Sequence, residues 1–198
     1  MQNNQVVIFL GPPGAGKGTQ AERVALENNL VKISTGDMMR AEAARGSELG
    51  QLVAPLLSEG KLVPDEILLP IVMEALSSMS PSRVVLDGFP RNPNQAKVLD
   101  ATLESLKTEV SQVISLEVPE NVVLERIVAR GVSSGRSDDT IETARARQQV
   151  YQSETQPLVE YYQAQGKLTR VDGMGSMDEV YGRILTVIAK FELGNSGV

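Results

Sequence analysis

The sequence predicts an α/β fold of three layers, a mainly parallel five-stranded sheet with helices on both faces, and three observations carry that expectation. Short β-rich apolar runs at 6–10, 30–34, 82–88, 113–118 and 168–172 alternate with helix-length segments along the chain. Such alternation is the pattern of parallel strands joined by crossover helices. The first run passes through a glycine-rich loop straight into a helix-like stretch. Finally, 198 residues of which 41% are hydrophobic suffice for one sizeable core with small insertions, and are too few for two ordinary large domains.

Taken in order, Val6-Val7-Ile8-Phe9-Leu10 is the first strand, and a helix is expected over 20–28. Between them lies Gly11-Pro12-Pro13-Gly14-Ala15-Gly16-Lys17-Gly18-Thr19, a full match to GxxxxGK. Strand, glycine loop and helix in this order make a P-loop, whose backbone N–H groups, helix N-terminus and lysine surround phosphates. The residue after the lysine is usually Ser or Thr. Here it is Gly18, and the hydroxyl comes one position later at Thr19.

A second strand at 30–34 runs into Ser34-Thr35-Gly36-Asp37, a helix-start pattern, and two short helices over 38–45 and 48–58 break at Gly46. Asp65 reads as the cap of a longer helix over 66–79. The segment 34–63 has no strand signal and is expected to be an inserted lobe on a single domain spanning 1–198. Strand 82–88 ends at Asp87, where parallel sheets place ligands beyond the C-terminal ends of their strands. A helix over 94–106, a strand over 113–118 and a helix from Pro119 to about 129 follow. Gly131-Val132-Ser133-Ser134-Gly135 is expected to interrupt the chain between Arg130 and Arg136, forming a short lid over 130–140. One long capped helix is expected over 142–165, then the last strand, a helix over 177–191 and a frayed tail.

Composition excludes much chemistry. With no Cys and no His, disulfides, thiolate zinc sites and imidazole catalysis are ruled out. A net charge of −6 opposes non-specific attraction to nucleic acid or anionic membranes, so an anion site has to be built locally from placed cations. The N-terminus reads as neither a secretion signal nor a membrane span, and the expectation is a soluble, cytoplasmic protein. Arg40, Arg91, Arg126, Arg130, Arg136 and Arg147 each sit beside a glycine, a strand end or the 131–135 break. Singly, each reads as a surface arginine; beside a phosphate loop, guanidinium forks are suited to grip transferring phosphates. Arg126 and Arg130, four apart on one helical face, would form a cationic wall. Asp138-Asp139 reads equally as a helix cap.

These residues together resemble the nucleoside monophosphate kinases, most closely the adenylate kinases of the short-lid type. The resemblance spans nearly the whole chain through GPPGAGKGTQ at 11–20, STGDMMR at 34–40, GKLVPDE at 60–66, LDGFPRNPNQ at 86–95, ERIVARG at 125–131, GRSDD at 135–139 and VDG at 171–173. It implies transfer of the γ-phosphoryl group of ATP to AMP, giving two ADP, with Mg2+ alongside the phosphates. Gly14, Ala15, Gly16, Lys17, Gly18 and Thr19 would cradle the ATP phosphates, with Arg130 against them and Gly175 near the ATP adenine. Thr35, Arg40, Lys61, Leu62, Val63, Gly88, Phe89, Pro90, Arg91 and Gln95 would form the AMP site. Arg91, Arg126, Arg130, Arg136 and Arg147 would act at the reacting phosphates, Arg136 and Arg147 also touching AMP, with Asp138 and Asp139 in the lid network. Asp87 would hold magnesium through water. A zinc-binding lid insertion is absent, so the expected cofactor is Mg2+ without zinc, and the expected partners are ATP and AMP. Nucleic acid and membrane are not expected partners, and the protein is expected to be a monomer.

Two other readings compete. A UMP/CMP kinase would share the framework, but Gln95 and Thr35 stand where pyrimidine kinases carry Asn and Ala. A nucleotide-binding module without turnover would need few charges beyond the loop, which the arginine set exceeds. No general base is evident, and a monophosphate oxygen, already anionic, needs none.

Overall fold

The computed structural model describes residues 5–78, 83–134 and 139–194. Five strands, β1 Gln5–Leu10, β2 Val31–Ser34, β3 Arg83–Asp87, β4 Gln112–Glu117 and β5 Leu168–Asp172, form one sheet in the order β2-β3-β1-β4-β5. Every pairing is parallel, with Ile8 opposite Leu86 on one side of β1 and Val113 on the other. Successive side chains of a strand point to opposite faces, so β1 feeds two cores. Val6, Ile8 and Leu10 pack with Leu68, Val72, Leu99 and Tyr162, whereas Val7 and Phe9 pack with Val24, Ile114, Tyr181 and Ile184. An apolar run without polar alternation is what a strand covered on both faces requires.

The helices are α1 Lys17–Glu27, α2 Thr35–Arg45, α3 Glu48–Glu59, α4 Asp65–Ser78, α5 Pro93–Ser105, α6 Glu120–Ser134, α7 Ile141–Val150, α8 Pro157–Ala164 and α9 Met177–Gly194. Among the described residues, none is long and apolar enough to cross a membrane. Because β1 lies between β3 and β4, the chain leaves its C-terminal end at the point where strand order reverses, and the crevice there is where open α/β sheets bind ligands.

Four local expectations are corrected. The helix after the glycine loop begins at Lys17, three residues before the expected start, because the loop itself winds into the first turn behind Gly16. The expected long helix over 142–165 is instead α7, a π-helical turn Tyr151–Thr155, and α8. Pro157 is the physical reason: without an N–H it cannot continue a helical ladder, and it stands at the start of α8. The interruption expected from 131 is helical as far as Ser134. Gly131 serves close approach, since a Cβ there would stand 2.6 Å from the Asp139 carbonyl oxygen. Lastly, Asp65 opens α4 but its carboxylate accepts from three side-chain amides, of Asn92, Asn94 and Gln95, instead of capping the backbone. Gly135, Arg136, Ser137 and Asp138, the centre of the expected lid, lie outside the described residues, as do Met79 and the tail over 195–198.

Candidate active site

A cleft of about 450 Å³ opens at the C-terminal edge of the sheet. That size suits a small molecule. One wall is the glycine loop. Gly16 closes it at φ 91, a left-handed conformation that glycine adopts freely, and α1 begins at the next residue. Gly18 is close to a different constraint: a Cβ there would stand 3.2 Å from Asp87 Oδ2. The Asp87 carboxylate, buried at the end of β3, therefore faces the loop where Ser or Thr usually follows the lysine.

Lys17 Nζ donates to the carbonyls of Gly11 at 2.7 Å and Pro12 at 2.9 Å, so the loop's own oxygens hold the ammonium. Burial pushes its pKa down to about 8, an effect that Asp87 opposes and that Arg91 and Arg130 reinforce. The loss of hydration outweighs the nearby carboxylate. An anion entering the loop would replace those two carbonyls as partner and favour the charged form.

The facing wall carries arginines from separate elements. Arg40, Arg91, Arg130 and Arg147 all line the cleft with Lys17. Arg91 is fixed at three points: its Nε donates to the Gly88 carbonyl at 2.8 Å, its N–H to Gln95 Oε1 at 2.7 Å, and its carbonyl accepts from Thr155 Oγ1 at 2.8 Å. Burial lowers the Arg91 pKa, Asp87 opposes this, and Arg147 and Arg40 add to it. The shift registers chiefly the loss of hydration, with the neighbouring cations adding to it. Arg130 and Arg147 share one counter-ion, Asp139, whose side chain has no exposed surface. Arg130 grips it with two bonds, at 2.6 and 2.9 Å, and Arg147 with one at 2.8 Å. Burial alone would raise the Asp139 pKa, but these bonds and charges overcome it and hold the carboxyl below its usual range. The helix cap at this point is Thr140, whose side chain accepts from the Thr143 N–H, so Asp139 is an orienting group for two arginines.

A smaller pocket adjoins the cleft, lined by Thr35, Met39, Val63, Leu68 and Gln95, and sharing Gly36, Leu57, Lys61, Leu62 and Arg91 with it. Its lining is apolar apart from a few placed polar groups. Thr35 Oγ1 donates to the Gly88 carbonyl at 2.8 Å, leaving the Gln95 amide as a polar group with capacity for a ligand. The α3 end of the 34–63 segment also touches the arginine wall, Thr143 Oγ1 donating to the Ser58 carbonyl at 3.0 Å.

The chain matches the family model described as adenylate kinase over residues 9–167. It is 58% identical to an adenylate kinase of Deinococcus deserti, covering 92% of this chain and 95% of the relative. It is 56% identical to one of Deinococcus radiodurans, covering 92% and 96%, and 50% identical to one of Thermus thermophilus, covering 93% and 97%. The chain belongs to the adenylate kinase family. It is a nucleotide-binding phosphotransferase, and the cleft of cations beside a phosphate loop suits that chemistry.

Within this member of the adenylate kinase family, Gly14, Gly16, Lys17, Gly18, Thr19, Arg40, Lys61, Leu62, Asp87, Gly88, Pro90, Arg91, Arg130 and Arg147 line the main cleft, and Thr35, Val63 and Gln95 the side pocket. Ala15, Phe89, Arg126, Asp139 and Gly175 line neither. Arg126 does not join Arg130 in a cationic wall here: both terminal nitrogens donate to the Gly173 carbonyl at 3.2 Å. Phe89 is core, with no exposed surface. Sequence reasoning missed Lys32, Tyr151 and Thr155, which also line the cleft. Pro157 was the available signal for the last two, because the break it forces creates the π-helical turn that carries them. Among the described residues, no group of three or more His, Cys, Asp or Glu could hold a metal.

Proposed function

We propose that the protein transfers the γ-phosphoryl group of ATP to AMP, reversibly, giving two ADP, with the ATP phosphates in the glycine loop and AMP in the side pocket and its shared rim. The observation that carries this reading is the convergence of Lys17, Arg40, Arg91, Arg130 and Arg147 on one cleft in a chain whose net charge is −6. Phosphoryl transfer asks the protein for positioning and charge stabilisation more than for a covalent nucleophile. Lys17 and the loop N–H groups bind the donor's phosphates, and Arg91 and Arg40 bind the monophosphate. Arg130 and Arg147 lie against the group in transit, and Asp139 orients them. Arg136 and Asp138 belong to the same lid in this reading. The segments 34–63 and 130–140 act as closing lobes that exclude water able to accept the phosphoryl group.

Asp87 fits magnesium held through water, since a hard cation of that size keeps several waters and needs few protein carboxylates. The Gly18 position leaves that carboxylate open to the loop. When bound, the ion would neutralise phosphate charge. A monomer acting in the cytoplasm completes the reading.

The test is a coupled assay for ADP formed from ATP plus each nucleoside monophosphate, with magnesium titrated into chelator-treated protein. AMP is the expected acceptor. A preference for UMP or CMP would overturn the acceptor assignment, and nucleotide binding without turnover would overturn the reaction.

A further inference from the structure

Gln95 is only 1% exposed, and both ends of its amide meet groups of fixed polarity. Its Nε2 donates to Asp65 Oδ1 at 2.7 Å, and its Oε1 accepts from the Arg91 backbone N–H at 2.7 Å. An ionised carboxylate can only accept and a backbone N–H can only donate. A half-turn of the amide would therefore set like against like at both ends.

Asp65 is itself anchored for this task. Its Oδ2 accepts from Asn94 Nδ2 at 2.8 Å and its Oδ1 also from Asn92 Nδ2 at 3.2 Å. Asn92 in turn caps α5, its Oδ1 accepting from the Gln95 N–H at 2.8 Å. Three side-chain amides from the start of α5 thus converge on one carboxylate at the start of α4. Burial would raise the Asp65 pKa, but the three donors outweigh it and keep the group ionised and acceptor-only.

A glutamine amide has two N–H donors and two oxygen lone pairs. After the bonds to Asp65 and Arg91, one of each remains, in a fixed order. The adenine edge offers an amino donor beside a ring-nitrogen acceptor. Hypoxanthine, guanine and uracil present a carbonyl acceptor beside a ring N–H, which is the reverse order.

We propose that Asp65 is a positioning residue for the choice of acceptor: by fixing the polarity of the Gln95 amide, it favours a base edge with adenine's order of groups and disfavours the reversed order. This rests on the reading of Gln95 as the group that meets the AMP base. Cytosine has adenine's order, so Asp65 does not discriminate against CMP.

Inosine monophosphate, the size of AMP with the edge reversed, is the probe. Asp65→Ala should narrow the AMP/IMP ratio of kcat/KM about tenfold, the scale of one buried polar mismatch. The change should lie in KM for the monophosphates, with kcat and the KM for ATP within about twofold and the AMP/CMP ratio unmoved. Asp65→Asn should narrow the ratio less, because an oxygen in the place of Oδ1 still accepts from Gln95 and Asn92, and it stands in should the alanine variant fail to fold. Gln95→Ala should collapse the AMP/IMP ratio, and adding Asp65→Ala to it should cost nothing more. If Gln95→Ala leaves the ratio unchanged, the base-facing reading fails and the proposal with it. If Gln95→Ala collapses it while both Asp65 variants keep it, or lower kcat for AMP and IMP alike, Asp65 is merely structural.

Discussion

The glycine-loop wall of the cleft comes from one unbroken stretch, in which Gly14, Gly16, Lys17, Gly18 and Thr19 follow β1 directly. The opposite wall takes Arg91 from the loop between β3 and α5, Arg130 from α6, Arg147 from α7 and Thr155 from the π-helical turn. The first is a backbone site, set by loop conformation and one lysine. The second is a side-chain site, in which Asp139 holds two arginines and Thr155 holds the backbone of a third. A local site tolerates change elsewhere and fails when its own residues change. A site assembled from distant elements depends on groups that never touch a phosphate.

The sharpest test of the first wall is Lys17→Ala. Because the lysine donates to loop carbonyls and not to core groups, the fold should persist by circular dichroism while turnover falls about 10³-fold. Wild-type turnover would remove the glycine loop from the chemistry.

Asp139→Asn tests the second wall. Two arginines lose the charge of Asp139, yet the variant keeps the shape of the side chain, so turnover should fall about 10- to 100-fold. Stability should fall by about 2 kcal/mol, less than for a fully buried pair, because Arg130 and Arg147 side chains remain 37% and 18% exposed. Turnover and melting temperature measured together check both. Loss of stability with full turnover would mean that Asp139 braces the fold and not the arginines.

A smaller effect is expected from Thr155→Val, which keeps volume but removes the donor to the Arg91 carbonyl. The loss of one such bond is worth about 1 kcal/mol, read as a few-fold rise in the KM for AMP with the KM for ATP unchanged. Equal changes in both would break the division between the walls.

The mildest test is a pH measurement on Lys17. Its pKa of about 8 in the ligand-free loop should rise when phosphates replace the carbonyls, since they favour the charged form. ATP affinity should therefore weaken as pH climbs through 8, with uptake of about half a proton at pH 8, seen by calorimetry in buffers of different ionisation enthalpy. The sign for stability is opposite. Because the folded pKa lies below the ordinary lysine value of 10.5, the ligand-free protein gains stability from this group as pH rises between about 8 and 10.5, where the unfolded chain still holds the proton. No proton uptake at pH 8 would leave the lysine outside the phosphate site.

Wherever a feature depends on neighbours in sequence, the chain alone determined it. The five strands, the glycine loop, and the fall of Asp87 at a strand end are of this kind, because short apolar runs and glycine loops are written within a few residues. Gly18 shows the boundary: its identity was legible, but the reason, a carboxylate 3.2 Å from where its Cβ would stand, comes from 69 residues further along. Arg126 and Arg130 share a helical face and nearly the same sequence context, yet one ends on the Gly173 carbonyl and the other on Asp139. Asp65 read as a helix cap until α5 brought three amides to it. Only the tertiary structure decided these assignments, because a charged side chain takes its partner from whatever the fold brings within about 3 Å, and that distance is blind to separation along the chain.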